Sequence, residues 1–236
     1  MIDYVNTIWN KDSIKEFNSL LLSKSIPNKV DWTKNIINTN MRVLAIPTPL
    51  LRQICKDICS GNYEQFLEQN NFLYYENTIV QAILISKIKD FEKQKKYLLQ
   101  LSKIVDNWAT CDILKFTTKP NNANRYFELS LQLLSSPKIF ERRIAIRILF
   151  SFVKMPEYTQ KIFDVLESIK EEKEYYVNMC VAWLLQVMFL ENREQTLNFL
   201  KQGKTNTFVK QKAISKCVDS YRISVEDKNI LKKLRD

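Results

Sequence analysis

Histidine is absent from the sequence, and glycine occurs at only two of its 236 positions, Gly61 and Gly203. Without histidine, the chain cannot form a Ser-His-Asp triad, a Cys-His pair or a histidine-ligated zinc site. Two isolated glycines cannot build the glycine-rich loops that hold dinucleotides or nucleoside triphosphates. We therefore exclude nucleotide-dependent chemistry by these loops, and we predict that the protein uses neither a metal ion nor another cofactor.

Long apolar runs are also missing, because no stretch reaches the roughly 18 uninterrupted apolar residues of a membrane helix. The first residues contain no basic segment followed by an apolar run, which argues against a signal peptide. The five cysteines are an odd set in apolar contexts, so we interpret them as reduced thiols. Cys55 and Cys59 lack a second close pair, which argues against a zinc ribbon. We expect a cytoplasmic monomer without a membrane partner.

Acidic residues are the minority charge in this chain. Lysine and arginine number 36 and aspartate and glutamate number 26, so the formal net charge is +10. An excess of this size favours a polyanionic partner such as a nucleic acid. The alternative is that the charge serves solubility alone.

Almost every segment of the sequence has the apolar periodicity of a helix, and the six prolines lie at the edges of these segments. Residues 177–190 are apolar nearly all round, so a helix there must be covered on both sides. The inner layer of a superhelix provides such cover. We predict an all-α fold in which residues 1–236 form a single HEAT-like helical-repeat solenoid with a concave basic groove. A compact, non-repetitive helical domain is the alternative.

Basic residues follow helical spacing in the segment that begins near Ile139. Arg143, Arg147 and Lys154 are four and then seven residues apart, so they share one face of a helix. Three aligned cations repel each other unless an anion meets them, and this pattern favours phosphate binding. The alternative is that they pair with acidic residues of the next helix.

A second basic cluster, near the end of the sequence, contains Lys210, Lys212 and Lys216. Lys212 and Lys216 are one helical turn apart, opposite an apolar face, and a solvated helix face explains this pattern equally well. In a curved solenoid, clusters far apart in sequence can line one groove that suits duplex DNA. We predict that five residues contribute to this positive surface: Arg142, Arg143, Arg147, Lys210 and Lys212.

One further segment combines an aromatic side chain with a carboxylate. Trp108 and Asp112 are four residues apart, so a helix places the indole and the carboxylate side by side. Read alone, Asp112 is more typical of a helix cap or an ion-pair partner. Trp183 lies in an apolar run, and by itself it is more typical of a core residue.

Four segments, in this order, resemble the AlkD-like family of DNA alkylation repair enzymes. Residues 44–52 resemble its first-repeat signature, and residues 108–112 resemble the Trp-x-x-x-Asp of its central helix. Residues 140–146 resemble the segment that carries its phosphate-binding arginine, which falls on Arg143. Residues 182–185 resemble its Gly-Trp-x-Leu element, and a weaker match lies at residues 212–214.

This resemblance implies a HEAT-like superhelix that binds duplex DNA and excises cationic N3- or N7-alkylated purines by hydrolysing the N-glycosidic bond. It also implies that the base is not flipped into a pocket, unlike in most glycosylases. In this interpretation Asp112 is catalytic, Trp108 and Trp183 flank the lesion nucleoside, and Arg143 holds the adjacent phosphate.

The sequence departs from the family pattern at three positions. Ala45 replaces the usual glycine, Asn107 stands where some members have a second aromatic residue, and Gln186 stands where an arginine often follows. These departures leave the substrate range open. They also leave a second hypothesis, a non-catalytic HEAT-repeat module that binds nucleic acid or a protein.

Overall fold

The structure is a computed structural model that describes residues 3–69 and 71–235. Within these residues it is entirely helical, with fourteen α-helices and no β-strand. The helices are α1 (Lys11–Ser23), α2 (Val30–Ile37), α3 (Thr48–Ile58), α4 (Tyr63–Glu68), α5 (Tyr75–Ile85), α6 (Phe91–Ser102), α7 (Trp108–Ile113), α8 (Ala123–Leu134), α9 (Ile139–Leu149), α10 (Pro156–Ser168), α11 (Tyr175–Glu191), α12 (Arg193–Lys201), α13 (Thr207–Asp219) and α14 (Val225–Lys232). The prediction of an all-α fold is confirmed.

The chain divides into two compact units, Met1–Lys115 and Phe116–Asp236. Each unit is built of helices packed in pairs, which is consistent with a helical-repeat solenoid. The single domain over residues 1–236 and the concave basic groove remain predictions.

Helix α5 forms the centre of the first unit. All of its residues are buried, and it packs against α3, α4, α6 and α7. Its first turn is unusual for a core helix, because the side chains of Glu76, Asn77 and Thr78 are buried with the apolar residues that follow. Buried polar groups of this kind must be hydrogen-bonded, so we expect them to organise the loops around α5.

An aromatic cluster anchors the beginning of the chain to the first unit. Trp9 packs edge-on against Phe17 and Phe66, with ring centroids 6.0 and 4.8 Å apart. The segment before Trp9 crosses directly over Gly61, where an added Cβ atom would lie 2.1 Å from the carbonyl oxygen of Tyr4. Glycine is therefore required at this close approach of two backbones.

Helix α11 is the core of the second unit, and it was predicted from its apolar character to be covered on both sides. It packs against α9, α12 and α13, while α9 also packs on α8 and α13 on α14. The prediction is confirmed, since this 17-residue helix has neighbours on several faces.

No helix among the described residues is long and apolar enough to cross a membrane. The same residues contain no group of three or more side chains that could hold a metal ion. None of the five cysteines forms a disulfide, and four of them are buried.

Candidate functional site

Helix α7 carries the Trp–Asp pair. Its cap is Asn107, a buried residue whose side-chain oxygen accepts a hydrogen bond of 2.9 Å from the backbone N–H of Thr110. This cap fixes the start of the helix at Trp108. Trp108 and Asp112 are both partly exposed and line the same cleft. The structure thus brings the indole and the carboxylate together, and their catalytic role remains a prediction.

The cleft lies within the first unit and has a volume of about 490 Å³. This volume falls in the range of small-molecule sites, which are mostly apolar with a few placed polar groups. Its walls come from the segment around α2, the loop before α3, the start of α5, and α7. The lining residues are Ile26, Lys29, Trp32, Thr33, Ile36, Ile37, Ala45, Ile46, Pro47, Thr48, Tyr75, Trp108, Ala109, Asp112 and Ile113.

The end of α2 is tied to α7 by side-chain hydrogen bonds. The indole N–H of Trp108 donates to the backbone carbonyl of Ile36 over 3.2 Å. Just before α7, the carboxylate of Asp106 accepts from the hydroxyl of Thr39 and, over 2.7 Å, from the backbone N–H of Asn40. Because these bonds link the two walls, the Trp108 ring has a defined orientation relative to α2.

A buried carboxylate holds the loop that forms another wall. The oxygens of Glu76 accept hydrogen bonds from the backbone N–H of Leu44, over 3.0 and 3.1 Å, and from that of Ile46, over 3.3 Å. Burial raises the pKa of Glu76 above its ordinary value, although the hydrogen bonds from the loop amides act in the opposite direction. The carboxylate fixes a loop that includes Ala45, which has a left-handed backbone with φ of 59°.

We expect the substitution Ala45→Gly to raise the free energy of unfolding by about 0.5–1 kcal/mol. A left-handed conformation costs an L-residue about 1–2 kcal/mol, and the greater flexibility of glycine in the unfolded chain offsets part of the gain. Urea denaturation measures the difference. The matched control is Ala109→Gly, which removes the same methyl group inside α7 and should destabilise the protein by about 1 kcal/mol. A loss of stability in Ala45→Gly would contradict the expected strain.

In the second unit, an arginine and a tryptophan of the predicted site lie against each other. The guanidinium carbon of Arg147 lies 4.4 Å from the ring centroid of Phe150 and 4.6 Å from that of Trp183. The two rings are themselves 4.6 Å apart. These distances show that cation–π contact holds Arg147 on the surface of Trp183, which is partly exposed.

Arg143, one helical turn before Arg147, is more deeply buried. It is only 5% exposed and donates to the backbone carbonyl of Tyr176.

Arg142 has a different environment from its neighbour in sequence. Its guanidinium donates to both carboxylate oxygens of Glu172, over 2.8 and 3.3 Å, and to the carbonyl of Ser136. Burial acts to raise the pKa of Glu172, but the hydrogen bond from Arg142 and those from two backbone amides hold this pKa below its ordinary value. Glu172 lies in the loop before α11, so this is not the pairing with the next helix that was the alternative for Arg143, Arg147 and Lys154. Of those three, Lys154 has its ammonium 3.8 Å from Oε1 of Glu191 in α11. The guanidinium of Arg142 is already paired with a carboxylate. We therefore leave Arg142 out of the phosphate-binding set proposed below.

Helix α13 carries the second basic cluster. Lys212 is exposed and its ammonium lies 5.7 Å from the ring centroid of Phe208, while Lys210 is partly exposed. The position of Lys212 leaves it accessible to an anion, and its role in binding DNA remains a prediction.

Several residues of the cleft were not singled out from the sequence. Trp32 and Lys29 precede the first motif, at residues 44–52, and Glu76, which holds the cleft loop without lining the cleft, lies in none of the motifs. For Trp32 a signal existed, because the sequence places this indole among polar residues, between Asp31 and Thr33. For Glu76 no local signal existed, since its partners lie about thirty residues away.

One of three comparisons with known proteins gave a match. Searches of curated proteins and of solved structures gave no match. A family model described as DNA alkylation repair enzyme matches residues 18–217, which is most of the chain and includes α7, α9, α11 and most of α13. The chain therefore belongs to the DNA alkylation repair enzyme family.

Proposed function

We propose that this protein is a monofunctional DNA glycosylase that excises cationic N3- or N7-alkylated purines from duplex DNA. Its family supports a role in DNA repair. The observation that carries the finer proposal is the cleft in which Asp112 stands beside Trp108. A module that only binds DNA has no need of a carboxylate, which repels phosphate, next to a partly exposed indole.

The chemistry of the substrate fits this pair of side chains. An alkylated purine already carries a positive charge and departs as a neutral base, so no general acid is needed and the absence of histidine is no obstacle. The remaining task is to stabilise an oxocarbenium-like sugar and to direct a water molecule to it. A single carboxylate can do both, as in glycoside hydrolysis with the acid partner removed. We assign this role to Asp112.

The tryptophans are proposed to contact the cationic lesion nucleoside. The face of an indole attracts a cation by about 0.5–2 kcal/mol, depending on how far the pair is desolvated. Trp108 offers its ring in the cleft, and Trp183 offers the part of its ring that Arg147 and Phe150 do not cover. Following the resemblance to the AlkD-like enzymes, we propose that hydrolysis proceeds without flipping the base.

Phosphate contacts are proposed for the basic residues of the second unit, Arg143, Arg147, Lys210 and Lys212. We also propose that the protein acts as a monomer in the cytoplasm, and the absence of a disulfide among its five cysteines is consistent with a reducing compartment.

The direct test is incubation with methylated duplex DNA, followed by chromatography of the released bases. The proposal expects 3-methyladenine and 7-methylguanine as free bases, with intact strands that carry abasic sites. If the protein binds this DNA but releases neither base, it is a non-catalytic DNA-binding module.

We expect Lys212→Gln to weaken duplex binding and to lower the salt dependence of affinity by about one unit of slope. Each lysine that neutralises a phosphate releases a condensed counterion, which makes log Kd depend on log salt. Fluorescence anisotropy at several salt concentrations measures both quantities. The control is Lys201→Gln, which removes the same charge from an exposed position of α12 and should leave the slope unchanged. Equal slopes for the wild type and Lys212→Gln would remove Lys212 from the interface.

A further inference from the structure

The indole of Trp32 is the most conspicuous feature of the cleft that the proposed chemistry does not use. It is 65% exposed, although tryptophan is usually well buried. It lines the same cleft as Trp108 and Asp112. An exposed aromatic ring in the same cleft as the proposed catalytic carboxylate is more consistent with a ligand contact than with a packing role.

The position of Trp32 is fixed by the helix that carries it. Ile36 follows Trp32 by four residues, so the two lie on one face of α2, and the carbonyl of Ile36 accepts the hydrogen bond from the Trp108 indole. Ile37 is the one residue of this helix that is buried. Helix α2 is therefore a lightly packed wall whose orientation is set by Trp108, and Trp32 projects from that wall at the margin of the cleft.

Lys29 places a positive charge, which attracts phosphate, on the same wall of the cleft. It precedes Trp32 by three residues, lines the cleft and is exposed. A flat apolar ring with an ammonium group one turn away matches the sugar or base of a nucleotide and its phosphate. Asp112, by contrast, repels phosphate, so the anion belongs at the margin with Lys29 rather than at the carboxylate.

We propose that Trp32 and Lys29 bind the nucleotide that adjoins the lesion on the same DNA strand, with Trp32 against its sugar or base and Lys29 at its phosphate. The inference rests on the proposed function, because it takes a lesion at Asp112 as the reference point. The contact positions the DNA strand. It contributes to the affinity for DNA and not to the rate of bond cleavage.

The test compares duplex binding and single-turnover excision in variants of the full chain. Trp32→Ala should weaken binding to methylated duplex about tenfold, in line with the contribution of one aromatic–base contact. The excision rate at saturating protein should change less than threefold, and Trp32→Phe should recover most of the affinity. Lys29→Gln should lower the salt slope by about one. The matched controls are Lys34→Gln on the same helix and Tyr221→Ala, an aromatic that is 94% exposed in the second unit.

Tryptophan fluorescence gives a readout that does not depend on excision. The difference between wild type and Trp32→Phe isolates the emission of Trp32, and acrylamide should quench it strongly in free protein and weakly with unmodified or methylated duplex. Protection and weakened binding without base release would overturn the proposed glycosylase activity and retain the DNA contact. Normal base release with Trp32 unprotected, or with Trp32→Ala binding as tightly as wild type, would overturn the contact.

Discussion

Asp112→Asn is expected to slow single-turnover excision of 7-methylguanine by roughly 30- to 1,000-fold. The substitution keeps the shape of the side chain and removes its charge, so the developing sugar cation loses about 2–4 kcal/mol of electrostatic stabilisation. The indole of Trp108 and the apolar walls of the cleft remain in place. The measurement is the rate of base release from methylated duplex with protein in excess, for the wild type and the variant.

DNA affinity separates this effect from a loss of binding. The variant should bind duplex as tightly as the wild type or slightly more tightly, because a repulsion with phosphate disappears. The matched control is Asp31→Asn, which removes a carboxylate from an exposed position of α2 that does not line the cleft. Equal excision rates for the wild type and Asp112→Asn would remove Asp112 from the mechanism.

The charge of the substrate provides a second, independent check on this mechanism. A cationic base leaves as a neutral molecule without protonation, whereas a neutral damaged base leaves as an anion unless an acid protonates it, and the sequence has no histidine to act as that acid near neutral pH. We therefore expect no measurable release of a neutral lesion such as uracil or hypoxanthine under conditions that release 7-methylguanine. Release of both classes at similar rates would require a proton donor other than histidine.

The features of this fold that could be predicted from sequence are those encoded locally. Scarce glycine and continuous helical periodicity predict the all-α architecture, and the apolar run of α11 predicts a helix with neighbours on several faces. The Trp108–Asp112 pair is also local, because both residues lie within the six residues of one capped helix. Each of these predictions needs only the geometry of a single helix.

The rest of the site depends on contacts between segments far apart in sequence. Trp32 shares a cleft with Asp112 because hydrogen bonds join the end of α2 to α7, among them the bond from the Trp108 indole to Ile36, seventy-two residues earlier. The different environments of Arg142 and Arg147 also depend on distant segments. Arg142 forms an ion pair with a glutamate in a loop, whereas Arg147 packs against two aromatic rings. The spacing of residue types along a helix predicts which of them share a face, but it does not identify the residues of other segments that pack against that face.

Glu76→Ala is expected to lower the free energy of unfolding by about 2–4 kcal/mol at neutral pH. The carboxylate is the acceptor for the backbone N–H groups of Leu44 and Ile46, and both residues are almost fully buried. Each buried donor left without an acceptor costs about 1–3 kcal/mol. Removing the buried charge offsets part of the cost of the two unpaired donors. Urea denaturation measures the total loss. Amide hydrogen exchange should show the earliest loss of protection at Leu44 and Ile46.

Glu76→Gln distinguishes the hydrogen bonds from the charge. One carbonyl oxygen can still accept from both amides, as Oε1 does in the wild type, so this variant should lose less stability than Glu76→Ala. Burial raises the pKa of Glu76 in the folded protein above its ordinary value of 4.5, so the folded state keeps this proton to a higher pH than the unfolded chain. The stability of the wild type relative to Glu76→Gln should therefore fall as the pH rises from about 4.5 through the raised pKa, and stay constant above it. A relative stability that rises with pH in this window would mean that the loop amides outweigh burial, and that the carboxylate is held as a favourable anion.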